Sequence, residues 1–322
     1  MAGAGGTRLA IAAMRGGAVG SLPCALLTPA QLAEQVAEVR AGARGPLNLN
    51  FFCHTLPEPA PDETAWRALL APYYAEEGVA PGPAPALRRP FDAALCEAVE
   101  KARPEIVSFH FGLPDELLLA RVRGTGALVF GNATTPEEMR WLAARGVDAV
   151  IAQGAEAGGH SGWFLGDAHV PTPLATLLAE KVAVPVIAAG GIVDGVDIAR
   201  ALAAGASGVQ IGTAFLAAEE SSISAPFRAL LGTGVSTAFT NLFSGREAQG
   251  IANRLMLALG PIRAEAPAFP YASNALAPLR AKAEADGRGD YSPLWAGTGV
   301  ARVRAMGAEA LVRRLAEELA SR

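Results

Sequence analysis

The chain has 322 residues, 51% of them hydrophobic and 18% charged, which is enough apolar material for a large core and too little charge for a disordered chain. The net charge is −4 and no basic block occurs, which argues against nucleic acid as a partner. No run approaches the ~20 apolar residues of a membrane span, and the amino-terminal MAGAGGTRLAIAAMRGG lacks a signal peptide's charged-then-apolar order, so a cytoplasmic protein is expected.

Strand-like apolar runs alternate with helical patterns. Thr7–Arg15 reads as a helix and Ala18–Leu22 as a strand. Thr28-Pro29 opens a helix to about Ala41, because threonine caps a helix and proline fits its first turn. Pro46–Phe52 is the next strand. Pro-rich Pro57–Pro61 leads to a helix with an aromatic side, Trp66–Tyr74, and a second Pro-rich break, APGPAPALRRP, precedes the helix Phe91–Ala102. Then come strand Ile106–Phe111, helix Pro114–Val122, strand Ala127–Gly131 and helix Pro136–Ala144. Strand Ala149–Gln153, helix Pro173–Lys181, strand Pro185–Ala189, helix Asp194–Ala203 and strand Gly208–Gly212 complete the series.

Seven strands in βα alternation predict a parallel sheet, and the lack of G-x-G-x-x-G removes a Rossmann dinucleotide site. The expected fold class is α/β, a (β/α)8 TIM barrel, which takes eight strands and about 250 residues. The count is one short at the start, where Met1-Ala2-Gly3-Ala4-Gly5 reads as the loop after a first strand missing from the chain as given. Residues 1–260 are expected to form the barrel and residues 261–322 a C-terminal cap. Cys24, Cys53 and Cys96 lie far apart without a C-x-x-C, so free thiols are expected. No three histidines or carboxylates cluster at ligand spacing, so no metal is expected.

The stretch 149–162, AVIAQGAEAGGHSG, carries the chemistry. Its glycines allow close backbone approach to a flat or anionic ligand. His160, at the end of a buried strand, is placed to move a proton near neutral pH. Barrels bind phosphate after strands seven and eight, where Gly190-Gly191 and Gly212-Thr213 form turns whose N–H groups and hydroxyl can cradle one. His110 alternates with Phe109 and Phe111; it either faces the barrel mouth or is a satisfied core histidine. His54 and His169 are expected on the surface. Glu156 either orients His160 or, as favoured, is a solvated carboxylate. Arg246 either binds an anionic group as a bidentate donor or forms a structural ion pair. Tyr271, Lys282, Tyr291 and Trp295 either fold over the mouth as a lid or pack on the exterior.

NLNFFCHTLPEP from Asn48, VSFHFGLP from Val107, GNATTPEEMRWLAARGVDAVIAQGAEAGGHSG, PVIAAGGIVDG, GASGVQIGTAFL, TNLFSGREAQGIANR and NALAPLRAKAEADGRGDYSPLWAG together resemble the flavin-dependent nitronate monooxygenases, formerly 2-nitropropane dioxygenases. The resemblance spans nearly the whole chain. It implies a TIM barrel holding non-covalent FMN and oxidising propionate 3-nitronate and related alkyl nitronates with O2 to a carbonyl compound plus nitrite or nitrate. It implies that Asn50 bonds the flavin, that Gln153 and Gly158 lie against its ring, and that Gly191 and Gln210-Ile211-Gly212-Thr213 hold the phosphate. It also makes His160 the catalytic histidine, as an imidazolium that stabilises an anion or an imidazole that takes a proton. Of the Ala-Pro-Met-Ala-Gly that ends the family's first strand, only Met1-Ala2-Gly3 remains. Two alternatives stay open: an NAD(P)H-dependent flavin reductase for quinones or enoyl thioesters, and a truncated non-catalytic relative.

Overall fold

The computed structural model describes residues 3–82 and 87–322. Met1, Ala2 and four residues of the second Pro-rich break, 83–86, lie outside the described residues. The strands are β1 (Gly20–Pro23), β2 (Leu47–Phe52), β3 (Ile106–His110), β4 (Leu128–Ala133), β5 (Ala149–Gln153), β6 (Gly159–His160), β7 (Val186–Ala189), β8 (Gly208–Gln210), β9 (Thr237–Thr240) and β10 (Ala248–Ile251). Seven of them form one parallel sheet in the order β1-β2-β3-β4-β5-β7-β8, curled into a partial barrel with the helices outside. This is the expected α/β alternation with its expected seven strands, and β1 and β8 are the edges.

Period-two alternation sorts the side chains. Leu47, Leu49 and Phe51 on β2 and Val107 and Phe109 on β3 are fully buried in the outer core. They meet Leu32, Val36 and Val39 of helix Pro29–Gly42 and Leu95, Cys96 and Val99 of helix Ala93–Ala102. Burying each such aliphatic or aromatic side chain contributes roughly 1.5–3 kcal/mol. The opposite faces carry Asn48, Asn50 and Phe52 on β2, with Ser108 and His110 beside the last two on β3. The interior is therefore polar: the Asn48 amide donates to Ser21 Oγ at 2.9 Å and to Ser108 Oγ at 3.0 Å. The Thr28 cap forms as expected, with Gln31 N–H on Thr28 Oγ1 and Thr28 N–H on Gln31 Oε1.

The sequence reading missed a second sheet. β10 pairs antiparallel with β9 on one side and with β6 on the other, so Ala248 sits opposite His160. A two-residue strand gives no periodic signal, and no Asn-Gly or Asp-Gly turn marks the β9–β10 connection. Helix Thr64–Glu77 packs Trp66, Leu70 and Tyr74 against Leu276 and Leu279 of helix Ala272–Ala285 in a separate apolar cluster. Cys24, Cys53 and Cys96 are free. Among the described residues no helix is long and apolar enough to cross a membrane.

The last helix, Ala308–Ala320, joins the outer layer, against helices Thr7–Arg15 and Gly195–Ala203. Its Glu318 accepts the Gly195 N–H at 3.0 Å, so a carboxylate meets the positive end of a helix. A Cβ on Gly195 would lie 2.3 Å from Glu318 Cβ and 2.7 Å from its carbonyl carbon. Gly195→Ala should therefore lower stability by about 1–3 kcal/mol despite alanine's better helix propensity. The urea midpoint reads this, and an unchanged midpoint would mean that this helix is not docked as described.

Candidate active site

The amide of Gln153 bonds the loop after β5 at two points. Gln153 donates its Nε2 to the His160 carbonyl at 2.8 Å and accepts at Oε1 from Gly162 N–H and Asn132 Nδ2, both at 2.9 Å. His110 Nε2 lies 3.2 Å from the same carbonyl, which can only accept, so this nitrogen carries the proton. His110 thus faces the mouth and is also a satisfied histidine, and both of its open readings were partly right. Gln153 is 9% exposed, and its amide oxygen and nitrogen both bond the loop.

The His160 ring is fixed as firmly. Its Nε2 lies 2.8 Å from Ser244 Oγ, and Ser244 gives its own proton to the Arg246 carbonyl at 3.1 Å. Ser244 can then only accept from His160, so Nε2 is protonated and Nδ1 carries the lone pair. Phe269, Trp295, Phe52 and Phe111 surround the ring at centroid distances of 5.3, 5.5, 6.1 and 6.1 Å. Burial among these rings, aided by the positive Arg88 and Arg246, holds the imidazole well below its ordinary pKa. Burial likewise pushes His110 down to about 3 and His54 down to about 4.

Strand alternation predicts Phe111 on the face away from His110. The structure corrects this: Phe111 has a φ of 68° and the adjoining Gly112 a φ of 90°, and this left-handed turn brings the Phe111 ring to 4.5 Å from His110. His54 is not a surface residue; it is 5% exposed and packs 4.8 Å from Phe269. The His169 side chain is also buried and lies 3.1 Å from Glu247. Glu156 is half-buried and accepts from Leu174 N–H at 2.9 Å, so it caps a helix and does not touch His160. Among the described residues Arg246 forms no ion pair. Its guanidinium is stacked 4.3 Å from both Phe111 and Trp163, and Nη2 donates to the Trp163 carbonyl. Its Nε is buried without a partner, and burial lowers its pKa to about 10, which leaves it charged at neutral pH.

The C-terminal segment meets the site at one residue singled out from the sequence. Trp295 reaches the His160 ring. Tyr291 is fully buried and donates to Glu77, Lys282 pairs with Asp286, and Tyr271 precedes helix Ala272–Ala285. Residues missed by sequence reasoning are Phe52, Phe269, Ser244, Arg88 and Glu138. Glu138 is fully buried and accepts from the backbone N–H groups of Thr134, Phe164 and Leu165, which ties the His160 loop to β4. Its position in Thr-Pro-Glu-Glu looked like an ordinary first helical turn, and long-range partners of this kind leave no local pattern.

The remaining sequence-predicted residues line the strand ends. Asn50, half-buried, donates to Ser108 Oγ at 2.8 Å and keeps its Oδ1 without a partner among the described residues. That is an acceptor of the kind a flavin ring N–H requires. Gly190 and Gly191 have φ of 125° and 70°, which a side chain would strain. Gln210 is exposed, and Ile211, Gly212 and Thr213 are half-buried beside them. Thr213 Oγ1 accepts Gly297 N–H at 2.9 Å, so its own proton remains to be donated. These groups fit a phosphate-bearing flavin. A Cβ on Gly158 would lie 2.4 Å from the backbone of Ala296 and Gly297, so the close approach this glycine allows is to the chain's own C-terminal segment.

A family model described as nitronate monooxygenase matches residues 1–318. The nitronate monooxygenase of Paraburkholderia phytofirmans is 40% identical over 99% of this chain and 90% of its own length. That of Pseudomonas aeruginosa is also 40% identical, over 97% of this chain and 92% of its own. A nitroalkane oxidase from Streptomyces ansochromogenes superposes with a TM-score of 0.91 at 36% identity, covering 100% of this chain and 94% of that one. FabK from Thermotoga maritima, with a TM-score of 0.72 and 22% identity, covers 100% of this chain and 91% of that one and shares the fold. With a family match along nearly its whole length, the chain belongs to the nitronate monooxygenases, enzymes of flavin-dependent nitronate oxidation.

Proposed function

We propose that in this nitronate oxidation His160 is the catalytic base, acting as a neutral imidazole through Nδ1, and that the flavin is FMN. The observation that carries the first part is the Ser244 contact, which takes the Nε2 proton and leaves the Nδ1 lone pair on the ring. A neutral nitroalkane gives its α-proton to Nδ1, and the two electrons of the C–H bond remain on the nitronate. A nitronate that arrives already ionised needs no such transfer. In both cases the buried Arg246, a positive group that acts on His160, offsets the anion's charge. The aromatic walls exclude water, which strengthens that attraction. When bound, the flavin supplies the one-electron chemistry that side chains lack, and O2 is the terminal acceptor.

His160→Asn keeps a donor toward Ser244 and removes the base. Turnover of neutral nitroalkane should fall about 10²–10⁴-fold, while preformed nitronate should still be oxidised. Oxygen consumption on both substrate forms decides this; an equal loss on both forms, or none, contradicts the base assignment. The pH profile is a second check. A base with a depressed pKa is in its active form above that value and is lost as pH falls through it. Wild-type kcat/KM on nitroalkane should hold level as pH falls through about 6.5, the ordinary imidazole value, and decline only at more acid pH. A cationic anchor would instead lose activity as pH rises.

The turns at Gly191 and at Gly212-Thr213, with the available Thr213 proton, support phosphate binding and so FMN over an unphosphorylated flavin. Thr213→Val should weaken FMN by about 0.5–1.5 kcal/mol, whereas Thr213→Ser should not. Flavin fluorescence titration reads both, and equal affinity for FMN and riboflavin in the wild type would remove the phosphate site.

A further inference from the structure

Two guanidiniums act on His160, and they differ in what they have left to give. Arg246 is clamped between Phe111 and Trp163, its Nη2 is spent on the Trp163 carbonyl, and its Nε is buried. Arg88 makes no hydrogen bond or ion pair through its guanidinium among the described residues. Its Cζ lies 5.9 Å from the Phe269 ring, the same ring that stands 5.3 Å from His160. The charged and titratable groups that act on Arg88 and His160 are positive or neutral: Arg280 repels Arg88, while His54, His110 and Arg246 face His160; the carboxylates of Glu138 and Glu247 act on Arg246 instead. Arg280 is itself paired with Glu284. A desolvated guanidinium without a carboxylate beside it is costly unless something anionic arrives.

Arg88 is also held in place. His54 Nε2 lies 3.1 Å from the Arg88 carbonyl, which can only accept, so His54 donates there. The other His54 nitrogen, Nδ1, is buried without a partner. A buried histidine, packed against Phe111 and Phe269, thus fixes the backbone of a residue whose side chain has its donors free. Residues 87–90 form no helix or strand, so the His54 bond and packing against Phe269 hold Arg88 in place.

We propose that Arg88 is a specificity-determining residue, pairing with a carboxylate on the chain of the nitronate while the reacting carbon lies at His160. This rests on the nitronate-oxidation reading above and deepens it. The geometry points to a desolvated guanidinium with no carboxylate beside it among the described residues, the side chain suited to read one on the substrate. The planar fork of arginine suits a carboxylate in two parallel hydrogen bonds. His54 is its positioning residue.

The test compares two nitronates of equal carbon count, those of 3-nitropropanoate and 1-nitropropane, on the flavin-loaded enzyme. Arg88→Gln should raise KM for the carboxylated nitronate about ten- to hundredfold, the worth of a charged hydrogen bond. KM for the uncharged-chain nitronate should stay unchanged. Arg88→Lys, which keeps the charge and gives up the fork, should recover part of the loss on the carboxylated substrate alone, and it decides the matter if the glutamine variant does not fold. Parallel changes on both nitronates, or no change on either, would overturn the Arg88 assignment and leave nitronate oxidation standing. A wild type that oxidises neither nitronate would overturn the reaction and the assignment together.

Discussion

The backbone carbonyl of His160 is the point on which the site depends. It accepts from Gln153 at 2.8 Å and from His110 at 3.2 Å, two side chains at the C-terminal ends of β5 and β3. The backbone is thereby fixed on one side while Ser244 fixes the ring on the other. β10 pairs with β6 and closes the frame, since Ala248 lies opposite His160 in the small antiparallel sheet. The imidazole is therefore set in one orientation and one tautomer by three separate pieces of chain. Preorganisation of this kind spares the reaction the reordering that a loose side chain would require.

Such a frame has an energetic cost, visible in groups left unmatched. Trp163 Nε1, Arg246 Nε, His54 Nδ1 and Asn48 Oδ1 are buried without hydrogen-bond partners among the described residues. Each costs about 1–3 kcal/mol relative to a satisfied group. The outer face of the sheet offsets this with Leu47, Leu49, Phe51, Val107 and Phe109, all fully buried. A stable outer layer and a strained, positively charged mouth thus share the same strands, divided by the alternation of β2 and β3. An anionic substrate would relieve part of the strain, because it would bring a counter-charge to Arg88.

The outer layer was legible in the sequence because it is periodic. The seven strands and the helices between them follow from apolar runs, N-caps and glycine turns, and the boundaries in the structure shift by only a few residues. The glycine-rich loop that carries His160 after β5 was legible too. The walls around it were not. Phe111 departs from alternation through one left-handed backbone angle. Phe269, Ser244 and Trp295 arrive from more than 80 residues away in sequence, and no local pattern announces such contacts. His54 and His169 looked like loop residues, and only packing shows them buried. Gly158 looked like a ligand-facing glycine, yet the backbone of Ala296 and Gly297 occupies the space beside it.

The account's central claim concerns the state of one ring, and it is open to direct observation. Nitrogen NMR of the protein labelled at its four histidines distinguishes the two neutral tautomers and the imidazolium. His160, assigned by comparison with His160→Asn, should appear as neutral imidazole protonated at Nε2 throughout the neutral range. Ser244→Ala should remove that preference and let the Nδ1–H tautomer appear. An imidazolium signal for His160 at neutral pH, or an Nδ1–H tautomer in the wild type, would contradict the account.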